Sequence, residues 1–344
     1  MNSSMNDYSI GILNKITIYS NRYVFPIAYV VGNIGNILSL IIFSRKSWKK
    51  NVCVFYFKFL LVLSLIYINP ALLGSFFITG LNINLQNTYV ILCKLLYYVS
   101  FVIAMLSPTV LILASIDRLL ISSQNVDTRL YSSKRLAYFS ISISTIFWCI
   151  FFIHILIKVN IQEYYPSVFI CYYDLSTSYL KFINYSISTC NVVFCVLMII
   201  LSIYTFKNIH HIRTNPNQQR QQIRTMNKKD FQLLRCLFVQ DIAYISCSFC
   251  STIYNVYAAV IMDQKQTLLV QAIDSFSSNL FSSVYKINNA LMIFIFIGVS
   301  KAFRQEVKRL FYRIFGKKLT PLREEDIKQQ NSVELNVVAS NIVV

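Results

Sequence analysis

The sequence predicts an all-α membrane protein: a seven-transmembrane helix bundle with a short amphipathic helix after the last span. Three observations predict it. The 344-residue chain is 56% apolar and only 13% charged, about half the charged share of a typical soluble domain. Its apolar residues fall in seven long runs, each near the ~20 residues a helix needs to cross a bilayer. Its basic residues gather between alternate runs, which is how a membrane protein marks one side.

The runs cover residues 24–43, 53–78, 89–121, 136–157, 180–206, 234–260 and 276–299. The last is the most diluted, by Ser277, Ser278, Asn279, Ser282 and Ser283. Continuous runs of this length exclude a β-barrel, whose strands alternate in short segments. A mean hydropathy of +0.53 excludes an ordinary soluble enzyme domain. An aromatic share of 15% excludes a disordered chain.

Orientation follows from the basic residues. Arg45, Lys46, Lys49 and Lys50 follow run one; Arg118, Arg129, Lys134 and Arg135 follow run three. Lys207, Arg213, Arg220, Arg224, Lys228 and Lys229 follow run five, and a further cluster from Lys301 to Lys318 follows run seven. The opposite side carries Lys15, Arg22, Lys158 and Lys265. This predicts an extracellular N-terminus and a cytoplasmic C-terminus in a multi-pass plasma-membrane protein. The expected division is an extracellular segment 1–23, the bundle 24–300, an amphipathic membrane-surface helix 301–315 and a disordered cytoplasmic tail 316–344. In that helix Phe303, Val307, Leu310, Phe311, Ile314 and Phe315 share one face and basic residues the other, a pattern suited to anionic lipid. The net charge of +18 therefore points to membrane lipids as a partner rather than nucleic acid.

Two of the nine cysteines stand apart from the runs' interiors. Cys93 opens run three on the outer side and Cys171 lies in the outer loop after run four, so a disulfide between them is expected. Asn2-Ser3-Ser4 is a glycosylation triplet on the same side. With three histidines and no Cys/His ligand spacing, no metal site and no cofactor is expected. His154 is the only histidine in a run and lacks an evident catalytic partner, so enzyme chemistry is not expected either.

Seven runs, an outer N-terminus and the Cys93–Cys171 pair resemble a rhodopsin-like (class A) G-protein-coupled receptor. Gly35-Asn36 in run one is similar to that family's Gly-Asn signature, whose asparagine bonds between helices; generic small-residue packing is the alternative. Asp117-Arg118-Leu119 ends run three and resembles the family's Asp-Arg-Tyr motif. Arg118 lies 25 residues after Cys93, the family separation. Trp148 resembles the family's span-four tryptophan. Asp230, at the start of run six, resembles the acidic partner of the span-three arginine. The resemblance implies a closed Arg118–Asp230 switch and a heterotrimeric G protein as partner.

The chain departs from the family in places. The span-two carboxylate position falls on Ser64. None of the six prolines lies in runs five to seven, so the usual kinks lack their source; Pro70 and Pro108 are the candidates to bend runs two and three. Cys250 stands at the span-six proline position, Ser248 at the tryptophan position, and residues 292–296 replace Asn-Pro-x-x-Tyr.

An extracellular ligand is expected, and a short peptide suits an aromatic mouth. Tyr97, Ser100, Phe101, Tyr173 and Lys286 are the candidate pocket residues. Ser100 occupies the position where amine receptors carry aspartate. The stretches 205–209 and 300–304 are loosely similar to invertebrate FMRFamide-type peptide receptors. Lys286 also admits an opsin-like photoreceptor, and Asp241 with Lys286 an intramembrane pair. A transporter or channel, or a receptor-like protein that no longer couples, complete the alternatives.

Overall fold

The computed structural model describes residues 2–49, 51–83, 85–123, 125–165, 168–173, 177–214, 228–261 and 267–314. The expected tail 316–344 lies outside them. The described residues up to Ser300 form one compact unit and those from Lys301 belong to a second.

Among the described residues of the first unit, six helices are long and apolar enough to span a membrane: Asn6–Phe43, Val52–Gly80, Val90–Ser122, Lys134–Lys158, Ser178–Ile209 and Lys229–Ile261. The seventh is a bent pair, Leu268–Ala290 and Met292–Val299. We number these spans one to seven. Their order and number match the seven runs.

Span one is longer than its apolar run. A helix over Asn2–Tyr19 passes through a π-turn at Ser20–Val24 into Phe25–Phe43. The polar-looking N-terminal segment is helical because it has a neighbour: it packs against Leu268–Ala290 of span seven. The glycine pair of span one works by close approach. A methyl group on Gly32 would come within 2.8 Å of Ala290 Cβ, and one on Gly35 within 2.6 Å of Ile293 Cγ2. Both atoms belong to span seven, so glycine here is what lets two backbones meet.

Pro70 and Pro108 lie inside spans two and three without breaking either helix. The break falls at Leu291, where span seven bends by 52°. Asn289 Nδ2 donates to the Tyr285 carbonyl at 3.0 Å. Span six has neither proline nor such a break and runs unbroken.

One β-hairpin departs from an all-helical chain. Strands β1 (Val159–Tyr165) and β2 (Val168–Tyr173) pair antiparallel between spans four and five, with Ile161 opposite Cys171. The core between the spans is dense at the Arg118 end. There Phe296 meets Phe43 and Phe57 edge-on, at centroid distances of 5.0 and 5.2 Å, and Phe43 meets Trp48 at 5.6 Å. These arrangements suit the ring quadrupoles. Phe296, at the expected tyrosine position, is thus a packing residue.

The second unit's described part is one helix, Lys301–Ile314. On it the exposed Arg309 pairs with the buried Glu306 at 3.1 Å.

Candidate functional site

Span three carries the site at both of its ends. At its start Cys93 is bonded to Cys171 of β2, Cα to Cα 5.8 Å. Two further bonds fix the same point of the hairpin: Cys171 N–H donates to Asn87 Oδ1 at 2.9 Å, and the Tyr97 hydroxyl donates to the Cys171 carbonyl at 3.3 Å. The anchored strand then places Tyr173 over span three. Its ring lies 5.5 Å from Tyr97 and 6.1 Å from Phe101. Burial pushes the Tyr173 phenol well above its ordinary value, with Tyr172 and Tyr97 adding to the shift. The ring is a neutral wall at any physiological pH.

Beneath this aromatic stack lies a cavity of about 280 Å³ among spans two, three, five, six and seven. Ser100 and Phe101 line it from span three, Asn191 from span five, Tyr244 and Ser248 from span six, and Ser282 and Tyr285 from span seven. Tyr244 donates to Asn191 Oδ1 at 3.0 Å and so ties spans five and six. Among the described lining residues none is Asp, Glu, Lys, Arg or His. Of the five expected pocket residues, Ser100 and Phe101 line the cavity. Tyr97 and Tyr173 form the stack against Phe101.

Lys286 does not line it. Its Nζ donates to Ser75 Oγ at 2.7 Å and lies 5.5 Å from the Phe25 ring centre. It therefore faces spans one and two. Nor does it pair with Asp241, which accepts from Ser115 Oγ at 3.1 Å and leaves its other oxygen buried without a partner. The expected intramembrane pair is replaced by two separate charges, each held by a serine.

Deeper in the bundle, Ser64 donates to Asn289 Oδ1 at 3.4 Å beside a void of about 10 Å³. The span-two carboxylate position is thus a hydroxyl joined to span seven. Trp148 donates from Nε1 to Thr109 Oγ1 at 3.0 Å and locks span four onto span three. Asn36 differs from expectation. It is fully buried and neither side-chain atom has a hydrogen-bond partner. The bond between spans one and two is made one turn earlier. There Tyr29 donates to Asn69 Oδ1 at 3.0 Å, and Asn69 donates to Asn33 Oδ1 at 3.1 Å.

At the far end of span three Arg118 is 2% exposed. Its Nε and Nη2 both donate to Asp117 Oδ2, at 3.0 and 2.5 Å. The other Asp117 oxygen accepts from Ser132 at 2.5 Å. Asp230 stands 4.0 Å from Arg118 Nη1 and accepts from Asn51 Nδ2. So Arg118, Asp117 and Asp230 do come together, with Asp117 as the main partner and Asp230 a looser flank. Asn51 and Ser132 were not among the expected site residues. Asn51 carried a readable signal, because asparagine before an apolar helix is a good N-cap; its Oδ1 accepts the Cys53 N–H at 2.9 Å. Ser132 carried none. The expected glycosylation residue Asn2 opens the first helix.

With this geometry in place, the comparisons with known proteins give one result. The model of the family described as 7 transmembrane receptor (rhodopsin family) matches residues 35–289. No curated protein matches the chain.

Proposed function

This chain belongs to the rhodopsin family of seven-transmembrane receptors, and on that premise we propose that it converts binding of an extracellular ligand into activation of a heterotrimeric G protein. The observation that carries the reading is the division of labour along span three. Ser100 and Phe101 line a cavity near one end, and Arg118 is held in an ion cluster at the other. Eighteen residues separate Ser100 from Arg118, about 27 Å at 1.5 Å per residue. One rigid helix thus joins a ligand-sized space to a releasable charge.

In this reading Asp117 and Asp230 hold Arg118 in the resting state. Ligand favours a second state in which spans five and six part from span three and Arg118 faces the G protein. The N-terminus is extracellular, the C-terminus cytoplasmic and the membrane the plasma membrane, as the basic residues suggest. The helix Lys301–Ile314 lies on the inner leaflet as an amphipathic surface helix. The ligand is a short peptide, supported by the aromatic mouth of Tyr97, Tyr172 and Tyr173. The narrower likeness to FMRFamide-type receptors rests on residues 205–209 and 300–304 alone. The placement of Lys286 against Ser75 gives the opsin-like reading no support.

The test is a G-protein dissociation sensor panel in cultured cells, challenged with pooled peptides, amines, and light plus retinal. A response abolished by Arg118→Ala at equal surface expression is expected, from a peptide pool. Silence at good surface expression sinks coupling, and a response surviving Arg118→Ala sinks the switch.

A further inference from the structure

We infer that the group a ligand inserts into the cavity beneath the hairpin is electrically neutral, an amide or phenol rather than an ammonium or a carboxylate. This deepens the receptor reading above and rests on it. The argument starts from the lining. It offers the hydroxyls of Ser100, Ser248 and Ser282, the phenols of Tyr244 and Tyr285 and the amide of Asn191, with no ionic side chain among the described residues. Hydroxyls and amides both donate and accept, so they satisfy a neutral polar head from either direction.

The charges that sit near the lining in sequence are engaged elsewhere. Lys286, next to Tyr285, donates to Ser75. Asp241, one turn from Tyr244, accepts from Ser115. Asp274 lies outside the lining: its carboxylate bonds the phenol of Tyr257, which does not line the cavity, and its backbone carbonyl accepts from the Tyr254 phenol at 3.0 Å. An ion entering this space gives up its hydration and finds no counter-charge, a cost that neutral partners do not return. A neutral amide loses far less and regains it in hydrogen bonds. Size narrows the class further. About 280 Å³ lies just below the usual range of ligand pockets, roughly 300–1,000 Å³. It holds one ring and one polar head. That head is either the capped end of a peptide or a free small molecule.

The experiment uses the full chain purified in lipid nanodiscs and reads binding from the shift in melting temperature. Three probes share a ring and differ in charge: 4-hydroxyphenylacetamide, 4-hydroxyphenylacetate and tyramine. The amide is expected to bind at least tenfold more tightly than either ion. Ser100→Asp places a carboxylate in the wall, and there tyramine is expected to overtake the amide. A fourth probe, N-acetyl-phenylalanyl-tyrosinamide, separates the sources: tenfold tighter binding than the fragment indicates a peptide end, and no gain indicates a small molecule. The inference is overturned if a charged probe equals the amide, if Ser100→Asp leaves the order unchanged, or if no probe stabilises the protein. None of these readings needs a G protein. Neutral preference without coupling sinks the signalling proposal alone, and coupling through a charge-preferring cavity sinks this one alone.

Discussion

The two ends of the bundle solve the same problem, joining helices across a membrane, with different chemistry. At the cavity end and below it the joints are neutral hydrogen bonds: Tyr244 to Asn191 between spans six and five, Tyr97 to the Cys171 carbonyl between span three and the hairpin, and, deeper, Ser64 to Asn289 between spans two and seven. At the Arg118 end span three faces span six through a buried guanidinium that its own Asp117 holds and Asp230 flanks, and spans one, two and seven meet in an aromatic cluster. Neutral bonds are individually weak and exchangeable, which suits a space that admits a visitor. A buried ion cluster holds its geometry until one partner leaves, and then loses it abruptly, which suits a switch.

Three substitutions test that contrast, from the largest effect to the smallest. Asp117→Ala removes both hydrogen bonds to Arg118 and leaves a buried cation. Thermal unfolding of the purified protein should show a loss of about 3–5 kcal/mol; a loss under 1 kcal/mol would mean that Asp230 alone suffices. Asp241→Asn acts in the opposite direction. It replaces a buried carboxylate with an orphaned oxygen by a neutral isostere, and should raise stability by on the order of 1 kcal/mol. A fall would show that Asp241 has an ionic partner. Tyr244→Phe at the cavity end should cost only about 0.5–1.5 kcal/mol, the worth of one neutral bond. An effect as large as that of Asp117→Ala would erase the contrast.

The spans were legible because membrane helices advertise themselves locally: each is a long apolar run with basic residues beside alternate ends. Cys93 and Cys171 were legible because both stand apart from the runs' interiors, on the side with few basic residues, and have few rivals there. The site was legible in part. Asp117-Arg118 is a local motif, and Ser100 and Phe101 line the cavity. What stayed hidden depends on distant partners. Asn51 meets Asp230 from 179 positions away, and nothing near either residue encodes that. Lys286 reads the same in sequence whether it faces the cavity or Ser75. Asn36 resembles a bonding asparagine, yet the bond passes through Asn33 and Asn69, because helix rotation decides which amide faces span two. The bend in span seven was unexpected because no proline marks Leu291.

The first helix, its π-turn and the rest of span one run from Asn2 to Phe43 without interruption. At 1.5 Å per residue such a rod is about 63 Å long, roughly twice the ~30 Å of bilayer hydrocarbon. One hydrocarbon crossing uses only about half of that length, and span seven packs along both parts of the rod. The helix with length to spare is thus braced by the one span that bends, at Leu291.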